Sequence, residues 1–213
     1  MRVKQHDNPL LPHKPGRMSQ VASTGVFAII LTLLVLELRV PNIANGSSLG
    51  QYAAAIAPLI PKVVTFALTF ILICIHWVSH HYFFRQLQDV TIGLVWLNNL
   101  FLLWLCFMPF PTAMLGDHPM DQFPILLYAV NQLLAALTFF AFRSYATRNR
   151  LFVDHVSAKA LGPRHSIPAI AIFTVSILFA FVNVYLSLAC FLIVPLLYFV
   201  PTMLEKKISS EGV

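Results

Sequence analysis

Polar and apolar positions along the chain fall into long blocks, not into the alternation or narrow stripes of a soluble domain. A polar opening of about twenty residues, punctuated by Pro9, Pro12 and Pro15, precedes apolar runs near 21–38, 59–79, 91–113, 122–142, 166–182 and 184–202. Each run is about 17–25 residues long, enough for a helix to cross roughly 30 Å of hydrocarbon. The pattern predicts an all-α membrane protein with six transmembrane helices. The expected organisation is a flexible basic tail over 1–20, a membrane domain over 21–204 and a short tail over 205–213. Only the neighbourhood of Asn183 separates the last two runs, which predicts a tight hairpin there.

Composition agrees with the pattern. Hydrophobic residues make up 58% of the 213 positions and charged residues 10%, whereas a soluble domain is about one quarter charged. Mean hydropathy is +0.77. The net charge of +6 would suggest nucleic acid in a soluble chain, but in a membrane protein it reads as topology and implies no nucleic-acid partner. With the N-terminus inside, twelve of the fourteen Lys and Arg fall on inner segments, leaving only Arg39 and Lys62 outside. Both termini are therefore expected to be cytoplasmic. The first run is longer than a usual signal-peptide core and is read as a retained span. Cys74, Cys106 and Cys190 are isolated within apolar runs and read as small apolar fillers.

No Asp, Glu, Lys or Arg is expected near the centre of any run, although such residues commonly mark proton and substrate paths. The polar candidates are 76-HWVSHHYF-83, Asn98 and Asn99, and Asn131 and Gln132. His76 and His80 are four apart, a spacing that suits a metal, and HxxxHH resembles the boxes of membrane di-iron oxygenases. That chemistry needs several converging boxes, and no second cluster occurs in the sequence. No cofactor and no enzymatic activity are expected. The plainer expectation is that His76 bonds across helices while His80 and His81 lie at the inner interface. Glu37, at the outer end of the first run, reads as an interfacial residue pairing with Arg39.

The first run, 23-STGVFAIILTLLVLEL-38, places small and polar residues on one side. At about 100° per residue, Ala22, Gly25, Ile29, Thr32, Leu33 and Leu36 share an arc of about 100°. Periodicity leaves two readings open. One is ordinary close packing against a neighbouring helix, with Thr32 bonded to its own backbone. The other is a face turned toward water.

The same stretch, GVFAIILTLLVLEL, resembles the first-helix signature of the endolysosomal and prokaryotic six-helix potassium channel family, RxxxFSDGVFAI followed by TLLVLE. Further along, 76-HWVSHHYFF-84 is similar to that family's second-helix end, and 96-WLNNLFLLWLCFMPFPT-112 resembles its third helix. The resemblance covers about residues 17–112. It implies a homotetramer in a prokaryotic plasma membrane, with the first helices around a central pore and no TVGYG filter. By position it implies a constriction at Ile29, Leu33 and Leu36, with Thr32 offering oxygen to K⁺. It also implies a bracket joining Ser23, Thr24 and Gly25 to His76, Trp77 and Asn98. Glu37 would stand near the outer mouth. The family's Phe-Ser-Asp is replaced here by Ala22-Ser23-Thr24, which removes a carboxylate from the bracket.

The expectation is therefore a K⁺-preferring passive cation channel whose partners are its own copies, the bilayer and K⁺. The alternative is a secondary transporter of a small solute, built on a polar site such as Asn98, Asn99 or Gln132.

Overall fold

The structure, a computed structural model, describes residues 17–153 and 162–211, with side chains described over 20–153 and 162–198. Most of the 1–20 tail, the end of the chain, and the side chains of the 205–211 tail lie outside what is described. The named elements of the described chain are helices, beside loops and one isolated β-bridge between Leu87 and Phe152: α1 (Arg17–Leu36), α2 (Leu49–Ile56), α3 (Ile60–Arg85), α4 (Ile92–Phe107), α5 (Pro109–Asp117), α6 (Gln122–Arg148), α7 (Ile167–Ala180) and α8 (Val184–Glu211). Four helical stretches are long and apolar enough to cross a membrane: Leu49–Arg85, Ile92–Asp117, Gln122–Arg148 and Pro163–Ala180. Gln20–Leu36 and Val184–Tyr198 are shorter apolar helices.

Two elements depart from the apolar-run pattern. Helix α2 continues through a short 3-10 turn at Ala57–Leu59 into α3. Its start is fixed by a capping box in which Gln51 N donates to Ser48 Oγ at 3.4 Å and Ser48 N donates to Gln51 Oε1 at 2.7 Å. The third run is not one rod either. It breaks at Met108, where Pro109 and Pro111 cannot supply backbone N–H groups.

A hydrogen-bonded relay ends beside that break, on Met108 O, which also accepts from Thr112 N at 3.2 Å, while Leu105 O, denied the Pro109 donor, accepts from Met108 N at 3.0 Å. Gln132 Nε2 donates to Tyr128 OH (3.3 Å), which bonds Thr69 Oγ1 (3.0 Å), which bonds Thr112 Oγ1 (3.1 Å); Thr112 Oγ1 donates to Met108 O (2.8 Å). The relay joins α3, α5 and α6. Asn131 Nδ2 donates to Trp104 O at 3.1 Å on α4.

Helix α6 is the centre of the bundle, packed against α4, α5 and α7 and burying Ile125, Tyr128, Ala129, Ala135 and Phe142. The α7–α8 hairpin turns at Asn183, whose Oδ1 accepts from Tyr185 N at 2.9 Å. Ser176 and Ser187, both fully buried, exchange bonds across it at 2.8 Å. At the opposite end from Asn183, the loops after α3 and α6 meet: Gln88 N donates to Leu151 O at 2.8 Å and Val153 N to Gln86 O at 3.1 Å.

Small residues allow the close contacts. A methyl group at Gly116 would lie 3.0 Å from Lys62 Cα on α3, whereas one at Gly25 would meet nothing within 4 Å. Gly116→Ala is expected to push α5 off α3 and cost about 1–3 kcal/mol, read as a lower unfolding temperature in detergent. Gly25→Ala should leave that temperature unchanged.

Candidate functional site

Helix α1 has two unlike faces. Ser23, Phe27, Ile30 and Leu34 are buried, while Gly25, Ile29, Thr32, Leu33 and Leu36 are exposed. Ile29 is 59% exposed, Leu33 47% and Leu36 70%. At about 100° per residue, the buried face is centred about 140° from the arc of Ile29, Thr32, Leu33 and Leu36. The arc expected from the sequence thus lies on the side that α1 turns away from the rest of the bundle.

A bonded triad sets this rotation. Asn98 Nδ2 on α4 donates to Ser23 Oγ on α1 at 3.0 Å, leaving Asn98 Oδ1 as the acceptor for His80 Nε2 on α3 at 2.7 Å. His80 is 1% exposed. Its ring lies 5.5 Å from Phe27, 5.9 Å and near-parallel to Phe101, and 6.3 Å and near-parallel to Phe142. One imidazole therefore meets aromatic rings from α1, α4 and α6, and its N–H supplies the polar contact.

This geometry corrects several sequence expectations. The histidine of the bracket is His80, not His76, so His80 is not an interfacial residue. Nδ1 of His76 bonds Leu72 O at 2.7 Å within its own helix and does not cross to a neighbour. Trp77 is partly exposed and stands against His81 at 5.5 Å, away from the triad. Thr24 Oγ1 donates to Gln20 O at 3.0 Å, a bond within α1. His81 instead reaches α1 through Gln20 Nε2 at 3.0 Å. A legible signal pointed to His80: α3 and α4 form an antiparallel hairpin, and His80 and Asn98 are equally far in sequence from Asp89 in its loop. Residues so placed lie at similar depth, whereas His76 falls one turn deeper.

Thr32 Oγ1 donates to Ile29 O at 2.8 Å. This leaves the hydroxyl oxygen's lone pairs facing outward on the exposed side. Glu37 does not pair with Arg39. It borders a cleft with Lys62, Thr112 and Asp117, in which Lys62 and Asp117 form the ion pair. Asn99 is exposed, whereas Asn131 and Gln132 are buried. Arg143, counted from the sequence among inner basic residues, is buried within α6. Among the described residues, no group of three or more His, Cys, Asp or Glu is placed to hold a metal.

Residues 19–109 match the model of the family described as endosomal/lysosomal potassium channel TMEM175. A Chamaesiphon minutus protein named a potassium channel is 31% identical over 191 residues, covering 84% of this chain and 90% of the relative. A Chryseobacterium protein, also named a potassium channel, is 32% identical over 124 residues, covering 58% of this chain and 60% of its own length. The crystal structure of a lysosomal potassium-selective channel TMEM175 homolog from Chamaesiphon minutus superposes with a TM-score of 0.74 at 26% identity, covering 85% of this chain and 95% of that one.

Asn98→Ala removes the acceptor of His80 and the donor to Ser23, and the buried His80 N–H it leaves without an acceptor is expected to cost about 1–3 kcal/mol. Its unfolding temperature, followed by tryptophan fluorescence, should fall further than that of Ser23→Ala. His76→Ala, which breaks no contact between helices through its nitrogen, should affect stability less than His80→Ala.

Proposed function

The chain belongs to the TMEM175 family, and from that premise we propose that it is a potassium-preferring passive cation channel, built as a homotetramer with α1 of each subunit lining a central pore. The carrying observation is the free face of α1, where Gly25 and Thr32 make no close contact that packing within the subunit requires. A single helix cannot enclose a pore, so copies must gather about an axis, and closed symmetry repeats each residue of the free face as a ring.

In this reading α1 and α8 complete six spans per subunit, residues 21–204 form the channel domain, and the tails over 1–20 and 205–213 are cytoplasmic, in a prokaryotic plasma membrane. Rings of Ile29, Leu33 and Leu36 make the path narrow and apolar, and such a constriction closes by losing its water without any charged barrier. The Thr32 hydroxyl has its proton engaged by Ile29 O, so it meets an arriving ion with lone pairs already turned outward. Oxygen from each Thr32 replaces part of the ion's hydration, which favours K⁺, the more easily dehydrated ion, over Na⁺. Glu37 stands at the outer end, where its charge raises the local cation concentration. The Ser23–Asn98–His80 triad holds the pore face outward and takes the place of the carboxylate bracket that the family's Phe-Ser-Asp provides. The chemistry is passage without reaction, with no enzymatic step and no resident cofactor.

The test is K⁺ and Na⁺ flux in liposomes holding the purified protein. Wild type should pass K⁺ faster than Na⁺. Ile29→Asn, which wets the constriction, should raise K⁺ flux by about tenfold, equivalent to about 1.4 kcal/mol off the barrier. Thr32→Ala should bring K⁺ and Na⁺ rates closer together. Saturable flux coupled to a second solute, unchanged by Ile29→Asn, would favour the transporter alternative.

A further inference from the structure

We propose that Arg143, with the cleft beside it, binds the phosphate of an anionic phospholipid whose acyl chain lies along that cleft. Arg143 is 7% exposed, and its Nε is fully buried with no hydrogen-bond partner. Its guanidinium carbon stands 4.7 Å over the centre of the Phe139 ring. Among the described residues the only ion pairs are Lys62–Asp117 and His118–Asp121, so none of their carboxylates pairs with this cation. A buried charge is tolerated when it is paired, and an aromatic face alone provides less than an anion would.

The surroundings indicate where the anion comes from. Phe139, one turn before Arg143 on the same face of α6, also lines a cleft between α3, α6, α7 and α8. Ser79 and Ser166 bring polar side chains to this cleft, while Leu72, Phe173 and Val194 make much of the rest apolar. Hydroxyls and a guanidinium suit a phosphate, and Arg matches two phosphate oxygens at once through its planar fork. The apolar wall suits an acyl chain, for which a free phosphate ion has no use. Arg85 and Arg148 close α3 and α6 at this end of the bundle, and Arg150 and Arg164 follow in the adjoining segments. Such a basic cluster at a helix-bundle end concentrates anionic lipid.

The experiment uses the full-length protein in detergent, doped at one mole fraction with phosphatidylglycerol or phosphatidylcholine, or supplied with inorganic phosphate alone, and reads the unfolding temperature. Phosphatidylglycerol should raise it by about 5 °C in wild type, and neither phosphatidylcholine nor inorganic phosphate should do so. Arg143→Gln should lose the shift, Arg143→Lys should keep part of it, and Arg148→Gln should keep all of it. An equal shift in Arg143→Gln, or one abolished by Arg148→Gln alone, would overturn the site. An equal shift from inorganic phosphate would overturn the lipid as its source. Should Arg143→Gln not fold, native mass spectrometry of wild type decides: retained phosphatidylglycerol in preference to phosphatidylcholine supports the site, and no preference overturns it. None of these readouts involves ion flux, so the outcome is separate from the channel proposal.

Discussion

A helix with apolar residues all around has no amphipathic stripe to say which way it should face, and in lipid no hydrophobic force corrects a wrong rotation. For α1 that information comes from a polar contact. Asn98 accepts from His80 and donates to Ser23, and any substantial rotation of α1 would take the Ser23 acceptor away from the buried Asn98 amide. The aromatic rings around His80 keep water from substituting for it. Everything proposed for the opposite face depends on this triad, since it is what leaves Gly25, Ile29, Thr32, Leu33 and Leu36 unburied.

The same economy of polar groups runs through the rest of the bundle. The relay from Gln132 to Met108 ties α3, α5 and α6 together beside the proline-rich break, and the paired serines at 176 and 187 join the two arms of the last hairpin. Each is a set of uncharged groups bonded to one another. These contacts join the helices from α3 to α8, so the free face of α1 is backed by a packed core.

Much of this architecture was legible in hydropathy, because length and apolarity alone decide which segments can cross a bilayer. The hairpin at Asn183 and the Ser23–Asn98 contact were also readable, the former from the lack of spacing and the latter from the resemblance. Helix α2 was missed although Ser48 and Gln51 carry a capping-box signature, because attention to long apolar runs passes over an eight-residue helix. The break at Met108 was hidden because Pro109 and Pro111 lie inside an otherwise continuous apolar run. The assignment of the bracket to His76 failed for a different reason: His76 and His80 lie on the same face of α3, and only depth against α4 separates them. The burial of Arg143 had no local signal, since an arginine near the end of a helix reads from sequence as an exposed interfacial charge.

The central claim is that the free arc of α1 faces water in the assembled protein. Its most direct test is single-cysteine accessibility in liposomes, with Cys74, Cys106 and Cys190 first replaced by alanine. Cysteine at Thr32 or Leu36 should react with a small charged thiol reagent and lose K⁺ flux, while cysteine at Val35, which is exposed but about 100° from Leu36 around the helix, should not. Reaction and block at Val35 with none at Thr32 or Leu36 would contradict the account and place the pore on another face.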